Sequence, residues 1–201
     1  PYTFKKLELR SKVSSFAAKY LQVPLIYVNQ IGANDNLIFD GNSFILDKNG
    51  SKIKQLKSFS EDLSSWDIEQ TKPQKNKFEK SEMSSIFDAL VLGVRDYAQK
   101  CGFKTALIGL SGGIDSALVS AIATAALGSN NIYCVSMPSK WSSSHSKSDA
   151  KDLARRLKIN FNSIPIENLM NSFEESFIKT ISFEMAEITN QNIQSRIRGT
   201  L

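Results

Sequence analysis

Histidine and cysteine are scarce: the 201 residues hold one histidine and two cysteines. A Ser–His–Asp hydrolase would have to use His145, which lies in a polar stretch without the strand-to-serine elbow of such enzymes, so an exposed or capping histidine is the better reading. Cys101 and Cys134 show no CxxC or Cys/His spacing and lie in or beside apolar segments. That pattern favours buried, reduced thiols over a metal centre or a disulfide, and it suits a cytoplasmic protein. No apolar run approaches the ~18 residues of a membrane span, and residues 1–10 lack the apolar core of a signal peptide. No Gly-Lys pair occurs, which removes the Walker phosphate loop, and the three-glycine dinucleotide fingerprint is missing as well. The net charge of +5 is scattered among acidic residues without interleaved aromatics, so neither a nucleic-acid nor a membrane partner is expected. Pro1 is no ordinary translation start, and the chain reads as a fragment cut from a longer protein.

What is present is ordinary globular material, 41% hydrophobic and 22% charged residues, enough for one or two domains. Residues 5–22 carry Leu7, Val13, Phe16, Ala17 and Leu21 at helical spacing, predicting a helix with one apolar face. Leu25, Ile26, Tyr27 and Val28 predict a buried strand, and residues 34–36 and 40–42 predict turns. Residues 43–46 and 51–56 flank Asp47, Lys48, Asn49 and Gly50, which predicts a β-hairpin with an Asn-Gly corner. This α+β region is too short to bury much surface alone. The polar segment 66–80, with Pro73 and four lysines, is the best domain boundary. Beyond it Met83, Ile86, Phe87, Leu90, Val91 and Val94 predict a helix capped by Ser81 and ended by Gly102.

From Thr105 the pattern alternates: strand 105–110, helix 114–127, strand 131–135, helix 146–157, strand 160–164, then helical stretches from Glu167 and from Phe183. Such alternation predicts right-handed βαβ units and a parallel sheet, whose ligands lie beyond the carboxyl ends of the strands. The first of those ends reads Gly109, Leu110, Ser111, Gly112, Gly113, Ile114, Asp115, Ser116. It places glycines and hydroxyls at a helix N-terminus, where orphan N–H groups and the macrodipole favour phosphate. Asp115 would repel bound phosphates unless a divalent cation lay between them, which points to Mg²⁺.

Two further constellations stand out. Met137, Pro138 and Ser139 open a loop with several serines around Trp141, suited to an adenine and a ribose, or else simply a serine-rich loop with a cap at Ser146. Asn192, Gln194, Arg196 and Arg198 alternate near the end. On a helix Asn192 pairs with Arg196 and Gln194 with Arg198, so one pair faces a ligand anion and the other faces solvent.

The run Ser-Gly-Gly-Ile-Asp-Ser resembles the pyrophosphate-binding loop of ATP pyrophosphatases. With the 137–144 loop followed by Asp149 and Ala150, and with the Asn192 to Arg198 run, the chain is similar over its whole length to bacterial glutamine-dependent NAD⁺ synthetases. The resemblance implies an α/β fold. A parallel-sheet, adenine-nucleotide α-hydrolase-like domain (81–201, truncated) would follow a linker (67–80) and the C-terminal part of an α+β nitrilase-like glutaminase domain (1–66). That last likeness rests on residues 24–29, Gly32 and Phe39-Asp40-Gly41.

The resemblance also implies roles. Gly109 to Ser116 and Met137 would bind ATP, Asp115 would hold Mg²⁺, and Asn192 and Arg196 would contact deamido-NAD⁺. Lys6, with Arg10 one turn on, would bind glutamine. The implied enzyme is a cytoplasmic, homo-oligomeric carbon–nitrogen ligase that amidates deamido-NAD⁺ through an adenylate, with ammonia taken from glutamine. Gln191 stands where the family often has Glu, and Trp141 where Tyr is usual. The glutaminase Cys, Glu and Lys would lie before Pro1, so no catalytic residue of that site is expected here, and the family's Thr-Gly-Asn-Lys-Ser-Glu segment would lie past Leu201. The alternatives are another ATP-activating enzyme of GMP-synthetase or tRNA-thiolating type, or a non-catalytic nucleotide-binding module.

Overall fold

The computed structural model describes residues 1–69, 81–181 and 187–201. Most of the predicted linker, with Pro73, and the predicted helix start at Phe183 lie outside the described residues. The chain divides into two compact units, Pro1–Gly102 and Phe103–Leu201.

In the first unit, helix α1 (Lys6–Leu21) precedes β1 (Leu25–Tyr27), the hairpin β2 (Ile31–Asn34) and β3 (Leu37–Asp40), and the hairpin β4 (Phe44–Leu46) and β5 (Lys52–Gln55). Strands β1, β4 and β5 form one antiparallel sheet with β4 in the centre, and β2 and β3 form a second. The Asn-Gly corner is as the sequence predicts: Asp47 Oδ1 accepts from the N–H groups of Asn49 and Ser51, at 2.9 and 2.8 Å. Strand β1 is not buried throughout. It is an edge strand, and Ile26 points outward.

Helix α1 corrects a stronger expectation. Its apolar residues Val13, Phe16 and Leu21 are 61%, 71% and 61% exposed, and the residues turned inward are Arg10, Ser14 and Ala18, one turn apart. A buried ion pair explains the inversion. Arg10 Nη1 donates to Asp40 Oδ1 at 2.9 Å, with both side chains almost fully covered. Asp40 also accepts from Asn29 Nδ2 at 3.1 Å and Asn42 Nδ2 at 2.9 Å, and Asn42 Oδ1 accepts from Gln55 Nε2 at 3.1 Å. Buried charges persist only when paired and hydrogen-bonded, so this network fixes the rotation of α1 that sets its Ala18 against Phe44 and Leu46.

Helix α2 (Glu82–Cys101) begins where Ser81 accepts from the Ser84 N–H and ends at Gly102, whose φ of 74° closes the last turn. Its Ala89 and Leu92 pack with Phe59, Ile31 and Ile38. Asp96 accepts from the Ala33 N–H at 2.7 Å and Lys100 donates to the Ala33 carbonyl, so two side chains occupy main-chain groups of β2. Cys101, expected to be buried, is exposed, because it falls in the uncovered run 99–105 at the end of the helix.

The second unit is α/β with a parallel sheet. It runs β6 (Ala106–Gly109), α3 (Ile114–Leu127), a single 3₁₀ turn, β7 (Ile132–Ser136), α4 (Ser144–Leu157), β8 (Asn160–Ser163), α5 (Glu167–Ile181) and α6 (Glu187–Thr200). The strand order is β6-β7-β8, all parallel. Ile132 and Cys134 pack with Ala123 of α3 and Ala150 and Ala154 of α4, so both helices cover one face. The other face carries Leu107, 74% exposed, and Tyr133, so the apolar run 105–110 is covered on one side only. Burial pushes the Cys134 thiol up from its usual range, keeping it protonated. Among the described residues no helix is long and apolar enough to cross a membrane.

Removing the Asp40 carboxylate leaves Arg10 buried without a counter-charge. Asp40→Ala in the full-length chain is expected to lower unfolding stability by about 3–5 kcal/mol, measured by denaturant titration, and a loss below about 1 kcal/mol would show that the pair does not hold α1.

Candidate nucleotide site

Strand β6 carries the chain to the carboxyl edge of the parallel sheet. There the N–H of the buried Leu110 donates to the Val135 carbonyl at 2.9 Å, the last bond between the first two strands. The chain then leaves the sheet. Gly112 takes φ 86°, and a Cβ built on it would lie 2.1 Å from the Ser146 carbonyl oxygen, so only glycine fits while α4 keeps its place. Gly113 opens α3 with no side-chain cap, whereas Ser81 caps α2 and Ser143 caps α4. The first N–H groups of α3 are left without a capping oxygen and carry the positive end of its dipole.

The turn holds its own shape. Ser111 Oγ accepts from the Gly113 N–H at 3.1 Å and lies 3.0 Å from Ser116 Oγ, which in turn donates to the Gly113 carbonyl at 3.0 Å. Ile114 and Asp115 are exposed on the first turn. Ser111 to Ser116 therefore form an open turn leading into a helix, reachable by a large anion.

Beside this turn lies a cavity of about 420 Å³, large enough for a nucleoside. Gly109, Leu110, Ser111 and Met137, four of the residues expected at a nucleotide, line it. So do Trp141 and Ser142 of the serine-rich loop, the start of α4 with Ser143, Ser146 and Lys147, and Arg198 from α6. Gly112, Gly113, Ile114, Asp115 and Ser116 continue from its rim into α3 and are not part of its lining. Trp141 is half exposed, and the Lys140 ammonium stands 4.5 Å from its ring centre.

The serine-rich loop spends much of its hydroxyl capacity on itself. Ser142 Oγ accepts from the Ser139 N–H at 3.0 Å, and Ser143, rather than Ser146, caps α4 by accepting from the Ser146 N–H at 3.0 Å. Helix α4 accordingly starts two residues earlier than its apolar pattern suggests. His145 is exposed on its first turn.

Helix α6 divides its polar residues as its period requires. Arg198 Nε donates to the Met137 carbonyl at 3.1 Å, and Gln194 Oε1 accepts from Ser139 Oγ at 3.3 Å. Asn192 and Arg196 are exposed, and Arg196 borders a separate apolar groove of about 340 Å³ with Leu169 and Phe173. The sequence carried the signal for Arg198 in its spacing from Gln194, but not which of the two pairs turns inward. Lys6 is half-buried at the start of α1 in the first unit. Among the described residues no group of three or more His, Cys, Asp and Glu is placed to hold a metal ion.

The family model for NAD synthase matches residues 86–201. The glutamine-dependent NAD⁺ synthetase of Synechocystis is 44% identical across the whole chain, which covers 37% of that protein. That of Rhodobacter capsulatus is 38% identical, again across the whole chain, which covers 38% of it. Among solved structures, the glutamine-dependent NAD⁺ synthetase of Acinetobacter baumannii, in complex with ADP, superposes on all of this chain with a TM-score of 0.88 at 38% identity, and 39% of that chain is covered. The chain thus spans less than two fifths of the length of these relatives. With a match to its model over more than half of the residues, including the whole unit that carries the open turn and the cavity, the chain belongs to the NAD synthase family.

Proposed function

We propose that the second unit binds ATP and serves an ATP-dependent carbon–nitrogen ligase that converts deamido-NAD⁺ to NAD⁺, releasing AMP and pyrophosphate. One observation carries the reading: an uncapped helix N-terminus, reached through a glycine that tolerates no side chain, opens beside a nucleoside-sized cavity with an aromatic wall. The ADP complex of the Acinetobacter baumannii relative supports it.

In this reading the base and ribose occupy the cavity between Gly109, Met137 and Trp141, and the phosphates run toward α3. The uncapped amides at the start of α3 receive the β- and γ-phosphates, and because the turn before them is already closed by its two hydroxyls, little reorganisation is needed when charge builds on the leaving pyrophosphate. The nicotinate carboxylate of deamido-NAD⁺ attacks the α-phosphorus, giving an acyl adenylate and pyrophosphate. Ammonia then attacks the acyl carbon, giving the amide and AMP. No side-chain nucleophile is required, which agrees with a site built from serine, glycine and a single aspartate.

Asp115 fits a Mg²⁺ role, since that ion is commonly held by one or two carboxylates together with substrate phosphates and water. When bound it would supply charge neutralisation at the phosphate oxygens. Asn192 and Arg196, on the exposed face of α6, are the proposed contacts to deamido-NAD⁺. Residues 1–66 are proposed as the end of a nitrilase-like glutaminase domain, joined by the segment 67–80 to the synthetase part, with Lys6 contributing to the glutamine site. On the same resemblance the enzyme is a cytoplasmic homo-oligomer.

The deciding assay supplies the full-length protein with ATP, Mg²⁺, deamido-NAD⁺ and ammonia and measures AMP and NAD⁺. AMP formation that depends on deamido-NAD⁺ is expected, and its absence would end the ligase reading. Asp115→Asn is expected to lower that rate by about a hundredfold or more. Full ATP affinity in the variant with Mg²⁺ present would instead favour a non-catalytic nucleotide module. Lys6→Ala is expected to impair turnover driven by glutamine while leaving turnover driven by ammonia nearly intact, and equal loss of both would count against a glutamine contact at Lys6.

A further inference from the structure

Successive carbonyls at the carboxyl end of β7 point to opposite sides, and all but one find a main-chain donor. Ser136 and Pro138 accept from the N–H groups of Ile164 and Ile166, on the β8 side, at 2.8 and 3.0 Å. On the β6 side Val135 accepts from Leu110. Met137 is the next carbonyl in that direction, but the chain that should continue the ladder has already turned away at Ser111 to build the open turn. A side chain supplies the missing donor: Arg198 Nε bonds the Met137 carbonyl at 3.1 Å from α6, and Gln194, one turn earlier, accepts from Ser139 Oγ. Ile197 lies between them in sequence and packs with Ile166, Met170 and Met137, so α6 is held against this loop by apolar contact as well.

We propose that Arg198, with Gln194 beside it, is the positioning residue for the nucleotide loop after β7: it completes the sheet's hydrogen bonding where the phosphate turn has left it open, and so sets Met137 and Trp141 as walls of the cavity. The proposal rests on the reading of that cavity as the ATP site. An arginine suits the place because its fork carries several donors in one plane, so it can bond a carbonyl and still border the cavity. The loop is polar and exposed at Trp141; Ile166 and Ile197 hold it at Pro138 and Met137, and the two bonds from α6 hold it at Met137 and Ser139, so loss of the guanidinium loosens it without opening the core.

The test uses the full-length protein with Trp66→Phe, which leaves Trp141 as the only tryptophan of this sequence. Arg198→Ala is expected to raise acrylamide quenching of Trp141 in the nucleotide-free protein by roughly twofold, and to raise the KM for ATP by about tenfold. The KM for deamido-NAD⁺ and kcat at saturating ATP should change far less. Arg198→Lys, which keeps one donor for the Met137 carbonyl, should fall between the two, and Ser139→Ala should move both readouts the same way by a smaller factor. Unchanged quenching overturns the positioning role even if ATP binding suffers, and an unchanged KM for ATP overturns the link to the nucleotide. If the parent protein turns over no ATP, the functional reading falls, while the quenching comparison still decides whether Arg198 orders the loop.

Discussion

The second unit depends on the contact between Gly112 and the first turn of α4. A Cβ at that position would lie 2.1 Å from a main-chain oxygen, which no rotamer change can relieve. The closeness forces two helix N-termini toward one edge of the sheet. The one at α4 is satisfied by Ser143, and the one at α3 is left without a cap. Other features of the site follow from it: the chain must leave the β6 ladder at Ser111 to make the turn, the cavity opens where the ladder stops, and a side chain from a distant helix must serve the carbonyl left behind. Glycine, uncapped helix and arginine are successive consequences of one steric fact.

The first unit reaches order by another route. Its first helix turns a polar face inward, because Asp40, Asn29 and Asn42 form a set of partners that Arg10 completes. A satisfied buried network specifies geometry more sharply than apolar contact does, since each donor has one acceptor position. That leaves the apolar residues of α1 outside, Phe16 stacked on Tyr20 at 6.2 Å. The hydrophobic effect is indifferent to which apolar face is used, but the ion pair is not, and here the ion pair decides the rotation.

The same distinction governs what could be read from the amino acids alone. Helix and strand positions from Ser81 onward follow from periodicity and caps, and the bounds of α3, residues 114–127, agree with their prediction to the residue. The open turn was legible because its residue types leave few other uses. The rotation of α1 was not, because periodicity locates an apolar face without saying whether a polar network competes for the interior. Strand β2, Ile31–Asn34, was missed because four residues including Gly32 carry no alternation, and its pairing with β3 comes from the turn at Asp35, held at φ 51°. The exposure of Cys101 was missed because flanking apolarity does not report where a helix runs past its cover.

Helix α6 shows how far local pattern goes and what must be added to it. Its four alternating polar residues were separable into two faces by the helical period alone, since 100° per residue places Gln194 with Arg198 and Asn192 with Arg196. Which face meets the loop depends on Ile197 and Ile193, whose packing with Met137, Ile166 and Met170 orients the helix and brings Arg198 within reach of a carbonyl 61 positions earlier in the chain. Once that face is fixed, the other two residues must be exposed, and they are. A single helix thereby offers one polar surface to the nucleotide loop and another, on its far side, to whatever meets it from solvent. Under the proposed function, in which two substrates are held at once, such a helix is a physical means by which the ordering of one surface is felt at the other, because a rigid rotation or shift of α6 cannot move Arg196 without moving Arg198.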